Sequence, residues 1–254
     1  MLKNAIVRLP GENFHDGQKG ASPGEPSYQN ALIQHSEYRK NLKSRGLKLT
    51  ILEADPRYPD GCFVEDAAVI AGETAIITNI GHPSRAGETE AIEAVLETRF
   101  EIVHLPKDAT IDGGDVLKLG NHFIVGISKR TNQNGAEALG KTVKKQGFRF
   151  STVKVDRCLH LKTAITSPEE GTVIIREDCK SLAGEITSQK KIIEIPLQEA
   201  YAANCLNVNG TVFIPQGFPE SQARLEAAGF NLLPLPMSEF EKMNGGLTCL
   251  SLLF

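Results

Sequence analysis

A chain of 254 residues, 41% hydrophobic and 23% charged, has ordinary globular composition and is long enough to bury a substantial core. Its net charge of −3, with both signs mixed along the chain, argues against a nucleic-acid or membrane partner, and no apolar run reaches the length of a membrane span. Five widely spaced cysteines without a CxxC pair argue against a disulfide framework or a structural zinc site; the N-terminus lacks the pattern of a secretory signal, so a cytoplasmic protein is expected.

A strand over NAIVRLP opens the chain. Tyr28, Leu32, His35, Tyr38 and Leu42 then recur at helical spacing, which predicts a helix over 26–45 stopped by Gly46 and followed by the strand LKLTILEA. Residues 66–80 predict a hairpin turning at Gly72-Glu73. An amphipathic helix over 87–100, through Ala91, Ile92 and Leu96, leads to the strand FEIVHLP. Residues 114–127 repeat the hairpin, turning at Gly120-Asn121, with a helix over 134–147 and the strand FRFSTVKV after it. Residues 161–177 predict a third hairpin with a longer turn around Pro168 to Gly171, and KIIEIPL follows. NCLNVNGTVFIP carries the strongest turn signal, Asn209-Gly210, ahead of a helix over 219–230 and the strand FNLLPLP. LTCLSLLF ends the chain.

The order strand, strand, helix, strand thus occurs about five times, with a period of about 45 residues, provided the last strand pairs with the first. No Pro/Gly/Ser-rich linker interrupts it, so one domain over 1–254 is expected, an α/β ring whose closure removes exposed sheet edges. An ordinary mixed α/β domain is the alternative that periodicity leaves open.

Four segments put polar residues where strands begin. In DGCFVEDAAV, Asp60, Glu65 and Asp66 bracket Phe63-Val64, an arrangement suited to enclosing a cation, although one such carboxylate alone would be a solvated strand entry. In IDGGDV, Asp112 and Asp115 surround a glycine pair that would allow close ligand approach or merely form a capped turn. His160 enters an apolar strand in CLHLKTAI, and Cys249 lies in an alternating strand after Gly245-Gly246. Each has a bland reading as a packed residue. Together, a Cys, a His and carboxylates at separate strand ends are a constellation for nucleophilic catalysis.

These segments, FVEDAAV (63–69), IDGGDVL (111–117), SKRTNQNGAE (128–137), LHLKT (159–163), YAANC (201–205) and GGLTCLSL (245–252), resemble in sequence and order the guanidino-group-modifying (pentein) superfamily, and within it the dimethylarginine dimethylaminohydrolases. The resemblance runs over nearly the whole chain. It implies a five-bladed α/β propeller and a hydrolase that converts methylated arginines to citrulline and an amine. It makes Cys249 the nucleophile, His160 the general acid/base, and Asp112 the carboxylate that orients His160 or meets the guanidinium. Asp66 would hold the guanidinium nitrogens, and Asp60 and Glu65 the α-amino end or the pocket itself. Arg85 and Arg130 would bind the α-carboxylate, with Met243 offering a backbone carbonyl. The partner implied is a small guanidino molecule, with no metal or cofactor, and a homodimer is compatible with it.

Two positions depart from the family. Gln18 stands in the expected lid (16–26) where bacterial relatives have Leu, and could re-rank methylated and unmethylated guanidiniums; Asn244 replaces an Asp before the final glycines. An arginine deiminase-like or amidinotransferase-like enzyme of the same fold, a non-catalytic arginine-binding protein and a Cys/His metal-binding protein are the alternatives. Longer chains in the first two, the needless thiol in the third and the ligand spacing in the fourth weigh against them.

Overall fold

In the computed structural model, which describes residues 1–22, 24–186 and 191–254, the chain forms five three-stranded sheets of like connectivity. The first holds β1 (Asn4–Arg8) parallel to β2 (Lys48–Leu52), joined through α1 (Tyr28–Ser44). The second is the hairpin β3 (Ala68–Ala71) and β4 (Thr74–Ile77), then α2 (Glu90–Leu96) and β5 (Glu101–His104) parallel to β4. The third repeats this with β6 (Val116–Leu119), β7 (His122–Ile127), α3 (Gln133–Lys145) and β8 (Arg149–Lys154). In the fourth, a one-turn helix α4 (Leu161–Ala164) precedes β9 (Ile165–Glu169), β10 (Thr172–Arg176), α5 (Lys180–Ile186) and β11 (Lys191–Ile195). The fifth comprises β12 (Leu206–Val208), β13 (Thr211–Pro215), α6 (Pro219–Ala227) and β14 (Leu232–Leu235). After α7 (Ser238–Lys242), β15 (Leu252–Leu253) returns antiparallel to β1, with Leu252 opposite Ile6 and Leu253 opposite Ala5. The fold is the five-bladed α/β propeller, and the two chain ends complete its first blade as expected.

Local chemistry explains the blades. Each middle strand is a Val/Ile-rich or Ala/Ile-rich run buried on both faces, as β4 and β13 are throughout, because its blade's helix covers it. At the β12–β13 turn both residues take positive φ (Asn209 51°, Gly210 91°), the conformation that a two-residue hairpin with the native strand twist requires.

A short helical turn precedes the first strand of each hairpin. These are Val64–Ala67 before β3, Gly113–Asp115 before β6, α4 before β9, Leu197–Ala203 before β12 and Thr248–Leu250 before β15. The first packs on both the last and the second, and α4 packs on Gly113–Asp115 and on Leu197–Ala203. The five turns therefore gather at one end of the ring.

Four local expectations change. The alternating flanks of His160 and Cys249 predict strands, but His160 precedes α4 and Cys249 lies in the turn Thr248–Leu250. Side chains of neighbouring blades intercept the amides: Asp115 Oδ1 accepts from Leu161 N (2.8 Å) and Asn204 Oδ1 from Thr248 N (3.0 Å). Pro168 is not in a long turn but inside β9, an edge strand where its missing N–H costs no ladder bond. Ala91 faces outward, and Ile92 and Leu96 alone form the buried stripe of α2.

Candidate active site

The gathered turns bring the dispersed polar residues together. Gln18, Asp60, Asp66, Arg85, Arg130 and His160 line one small cavity, whose wall also includes Met243 and Cys249. Cys249 also lines a second cavity of about 180 Å³, together with Tyr201, Asn204 and Glu241 among others.

His160 is nearly buried and its Nε2 lies 2.9 Å from Asp112 Oδ2. The other oxygen of Asp112 accepts from Gly81 N at 2.7 Å, and the Asp112 amide donates to Thr131 Oγ1 at 3.2 Å. Both carboxylate oxygens thus serve to fix the imidazole. Its Nδ1 lies over Gly114, where a Cβ would come within 2.7 Å of Nδ1 and 3.0 Å of Asp66 Oδ1. That close approach is the reason for glycine at this position. Burial pulls the imidazole down. The charge of Asp66, the hydrogen bond with Asp112 and the charge of Asp115 outweigh it, raising His160 to about 9.

Asp66 is held below the ordinary carboxylate range. Burial opposes this, but His160, the 2.6 Å ion pair with Arg85 Nη1 and the Gly114 amide (2.8 Å) prevail. Arg85 spends most of its donors inside the protein: Nε and Nη2 bond to the Glu88 carboxylate, and Nη2 also to Phe63 O at 3.0 Å. One N–H of Nη1 remains. Arg130 differs. Its Nη2 donates to Gln18 Oε1, whereas buried Nη1 has no hydrogen-bond partner and stands 3.7 Å from Asp112 Oδ2.

Gln18 binds the polar end of the cavity twice more, through its amide to Asp60 Oδ1 (3.0 Å) and through Nε2 to Asp60 Oδ2 (3.4 Å). Gln18 thereby joins Asp60 to Arg130. Glu65 does not line this cavity. Its oxygens take Lys162 Nζ (2.6 Å) and Thr248 Oγ1 (2.7 Å), and it faces a separate cavity of about 200 Å³.

Cys249 is half-buried as a residue, and loss of solvent around its thiol, then the charges of Glu65 and Asp66, push it up to about 12. The Gly246 N–H, 3.3 Å from Sγ, and Lys162 act in the opposite direction. These shifts favour a neutral thiol and a protonated imidazole in the same cavity wall, and a cation entering next to Asp66 would favour the thiolate. Among the described residues, Asp66, Asp112 and His160 form the one grouping with the spacing of metal ligands, their ligand atoms within 4.8 Å of one another. Arg85 and Arg130 already stand against those carboxylates, so the donor set suits a proton and a planar cation better than a metal ion.

Sequence reasoning did not assign Asp115, Thr131, Asn204 or Thr248. Asp115 is fully buried and collects Ser128 Oγ, Thr131 Oγ1 and the Leu161 amide. The signal for it was present as the second aspartate of IDGGDV, but its partners are distant in the chain.

Comparison with known proteins gives the family. The family model for eukaryotic N,N dimethylarginine dimethylhydrolase matches residues 13–250. The chain is 36% identical over 261 aligned residues to the N(G),N(G)-dimethylarginine dimethylaminohydrolase of Pseudomonas aeruginosa, covering 100% of both. It is 33% identical to the Streptomyces coelicolor protein of the same name, covering 98% of this chain and 96% of that one. The structure of a cysteine-to-serine mutant of the P. aeruginosa protein complexed with citrulline superposes with a TM-score of 0.95 at 34% identity, over 100% of both chains. The N-terminal domain of a cyanobacterial arginine dihydrolase shares the fold (TM-score 0.84, 20% identity, covering 98% and 97%). Full-length identity above 30%, a matching family model and superposable blades place this chain in the dimethylarginine dimethylaminohydrolase family.

Proposed function

We propose that the protein hydrolyses N-omega-methylated arginines to citrulline and methylamine or dimethylamine, with all 254 residues forming one catalytic unit. The observation that carries the reading is the single cavity lined by a cysteine, a carboxylate-held histidine and a second carboxylate, with Arg130 and Asp60 also in its wall. Asp66 holds the guanidinium nitrogens, with lone pairs to spare beyond Arg85 and Gly114. The partnerless Nη1 of Arg130, joined by the remaining N–H of Arg85, takes the α-carboxylate. Asp60 and the Met243 carbonyl take the α-amino group, and Glu65 supports the pocket from outside through Lys162 and Thr248.

The chemistry follows from the proton positions. Substrate binding places a cation beside Asp66 and the thiol, and the Cys249 proton departs to solvent. The thiolate attacks the guanidinium carbon, forming a C–S bond. Imidazolium His160 gives its proton to the leaving amine, and the C–N bond breaks, leaving a thiouronium. Neutral His160 then takes a proton from water as it attacks the same carbon. The C–S bond breaks and the hydroxyl on the carbon loses its proton to solvent, where the freed amine takes it up, so that citrulline leaves and the thiolate returns. Asp112 keeps the imidazole in place through both proton transfers.

Incubation with arginine, monomethylarginine and asymmetric dimethylarginine, with citrulline and amine both measured, tests the reading. Stoichiometric products from the methylated substrates are expected, with loss of at least about 1000-fold in Cys249→Ser. Tight binding without turnover would leave an arginine-binding protein instead. Faster turnover of unmethylated arginine would favour the deiminase-like alternative.

A further inference from the structure

We infer that Asn204 is a positioning residue for this reaction, setting the nucleophile turn in register with the turn that carries the acid/base; the inference rests on the function proposed above. Four of the five gathered turns deliver Asp66, Asp112, His160 and Cys249. The fifth, Leu197–Ala203, delivers no residue with an assigned role, and Asn204 is the residue on which it ends.

Asn204 is buried, and all of its amide is engaged. Oδ1 accepts from Thr248 N at 3.0 Å. Nδ2 donates to Thr248 Oγ1 at 3.2 Å and to Lys162 O at 3.1 Å. Thr248 precedes the nucleophile, and Lys162 lies two residues beyond His160. The Thr248 hydroxyl donates in turn to Glu65, which accepts Lys162 Nζ through its other oxygen. A closed circuit of Asn204, Thr248, Glu65 and Lys162 thus joins the segments bearing Cys249, His160 and Asp66. A side-chain amide can do this because it offers donors and an acceptor in one rigid plane.

Asn204 also packs flush against Gly246, where a Cβ would fall 2.5 Å from its Cγ and Oδ1. Gly246 is the residue whose N–H points at Cys249 Sγ. Asn204 therefore sets both the position of the nucleophile turn and the one backbone donor that favours the thiolate. The Tyr201 hydroxyl, on Gly245 O at 2.7 Å, supports the same segment from the same turn.

Asn204→Asp nearly preserves volume and the acceptor for Thr248 N but removes both donors; Asn204→Ala removes everything; Thr248→Val removes the hydroxyl. Expected for Asn204→Asp and Asn204→Ala is a fall of about 10- to 100-fold in kcat with KM within about threefold, the pattern of displaced reacting groups. The Asn204→Ala/Thr248→Val double variant should lose far less than the product of the single losses, since both break one circuit. The pH midpoint for iodoacetamide alkylation of Cys249, read by peptide mass spectrometry, should rise in Asn204→Ala as the Gly246 donor drifts. Wild-type kcat in Asn204→Asp, or multiplicative losses in the double variant, would overturn the inference. If the wild type turns over no guanidino compound, the proposed function falls. Asn204 is then judged on alkylation alone: a raised midpoint upholds positioning of the thiol, and an unchanged one overturns it.

Discussion

His160 allows the proton inventory of the site to be tested without substrate. Folding raises its imidazole from 6.5 to about 9, because Asp66, Asp112 and Asp115 together outweigh the cost of burying the charged ring. That difference of about 2.5 units corresponds to about 3 kcal/mol of folding stability, at about 1.4 kcal/mol per unit. Since the folded value is the raised one, the contribution is fully present below about pH 6.5 and is lost as the pH rises through about 9. His160→Gln lacks it at every pH. The stability gap between wild type and His160→Gln, from urea unfolding at about pH 6 and about pH 10, should therefore shrink by about 3 kcal/mol as the pH is raised. Other groups that titrate in this window are common to both proteins and cancel in the gap. A gap that does not change would mean that folding leaves the imidazole at its ordinary value, mostly neutral at pH 7, and would refute the resting imidazolium.

Gly114→Ala should drive a methyl group against His160 Nδ1 and Asp66, lowering kcat by about 100-fold or more, as steady-state kinetics would show. Arg130→Met should raise KM for methylated arginines by about 10- to 100-fold while leaving turnover of a guanidine without an amino-acid end unaffected, because it removes binding remote from the reacting carbon. Gln18→Leu cuts the link between Asp60 and Arg130. It should change KM for arginine, monomethylarginine and dimethylarginine by a common factor; a change of more than about tenfold in the ratio of their kcat/KM values would show that Gln18 reads the methyl groups instead.

Strand-sized apolar runs, their turn residues and the helical stripes between them made the five blades legible in the sequence, because those signals are local and each blade is built from neighbouring segments. Asn209-Gly210 is the plainest instance: the residue pair specifies the turn, and the turn sets the register of β12 and β13. Ring closure by the termini was legible for a weaker reason, that two unpaired end strands each needed a partner. Misplacing His160 and Cys249 in strands had a physical cause. Their flanks alternate like strands, but amides at Leu161 and Thr248 are claimed by Asp115 and Asn204, more than forty residues away in each case.

The sequence by itself picked out the candidates for reactive chemistry, because the thiol, the imidazole and the carboxylates are properties of residue type and the motif order is specific. Tertiary structure alone decided their state and their division of labour. Asp112 is committed to His160, Arg85 to Asp66 and Glu88, and Glu65 to Lys162 and Thr248, while Arg130 keeps a donor open. Such commitments depend on distances between blades and on how much water each group loses, and neither quantity is written in the neighbours of a residue along the chain.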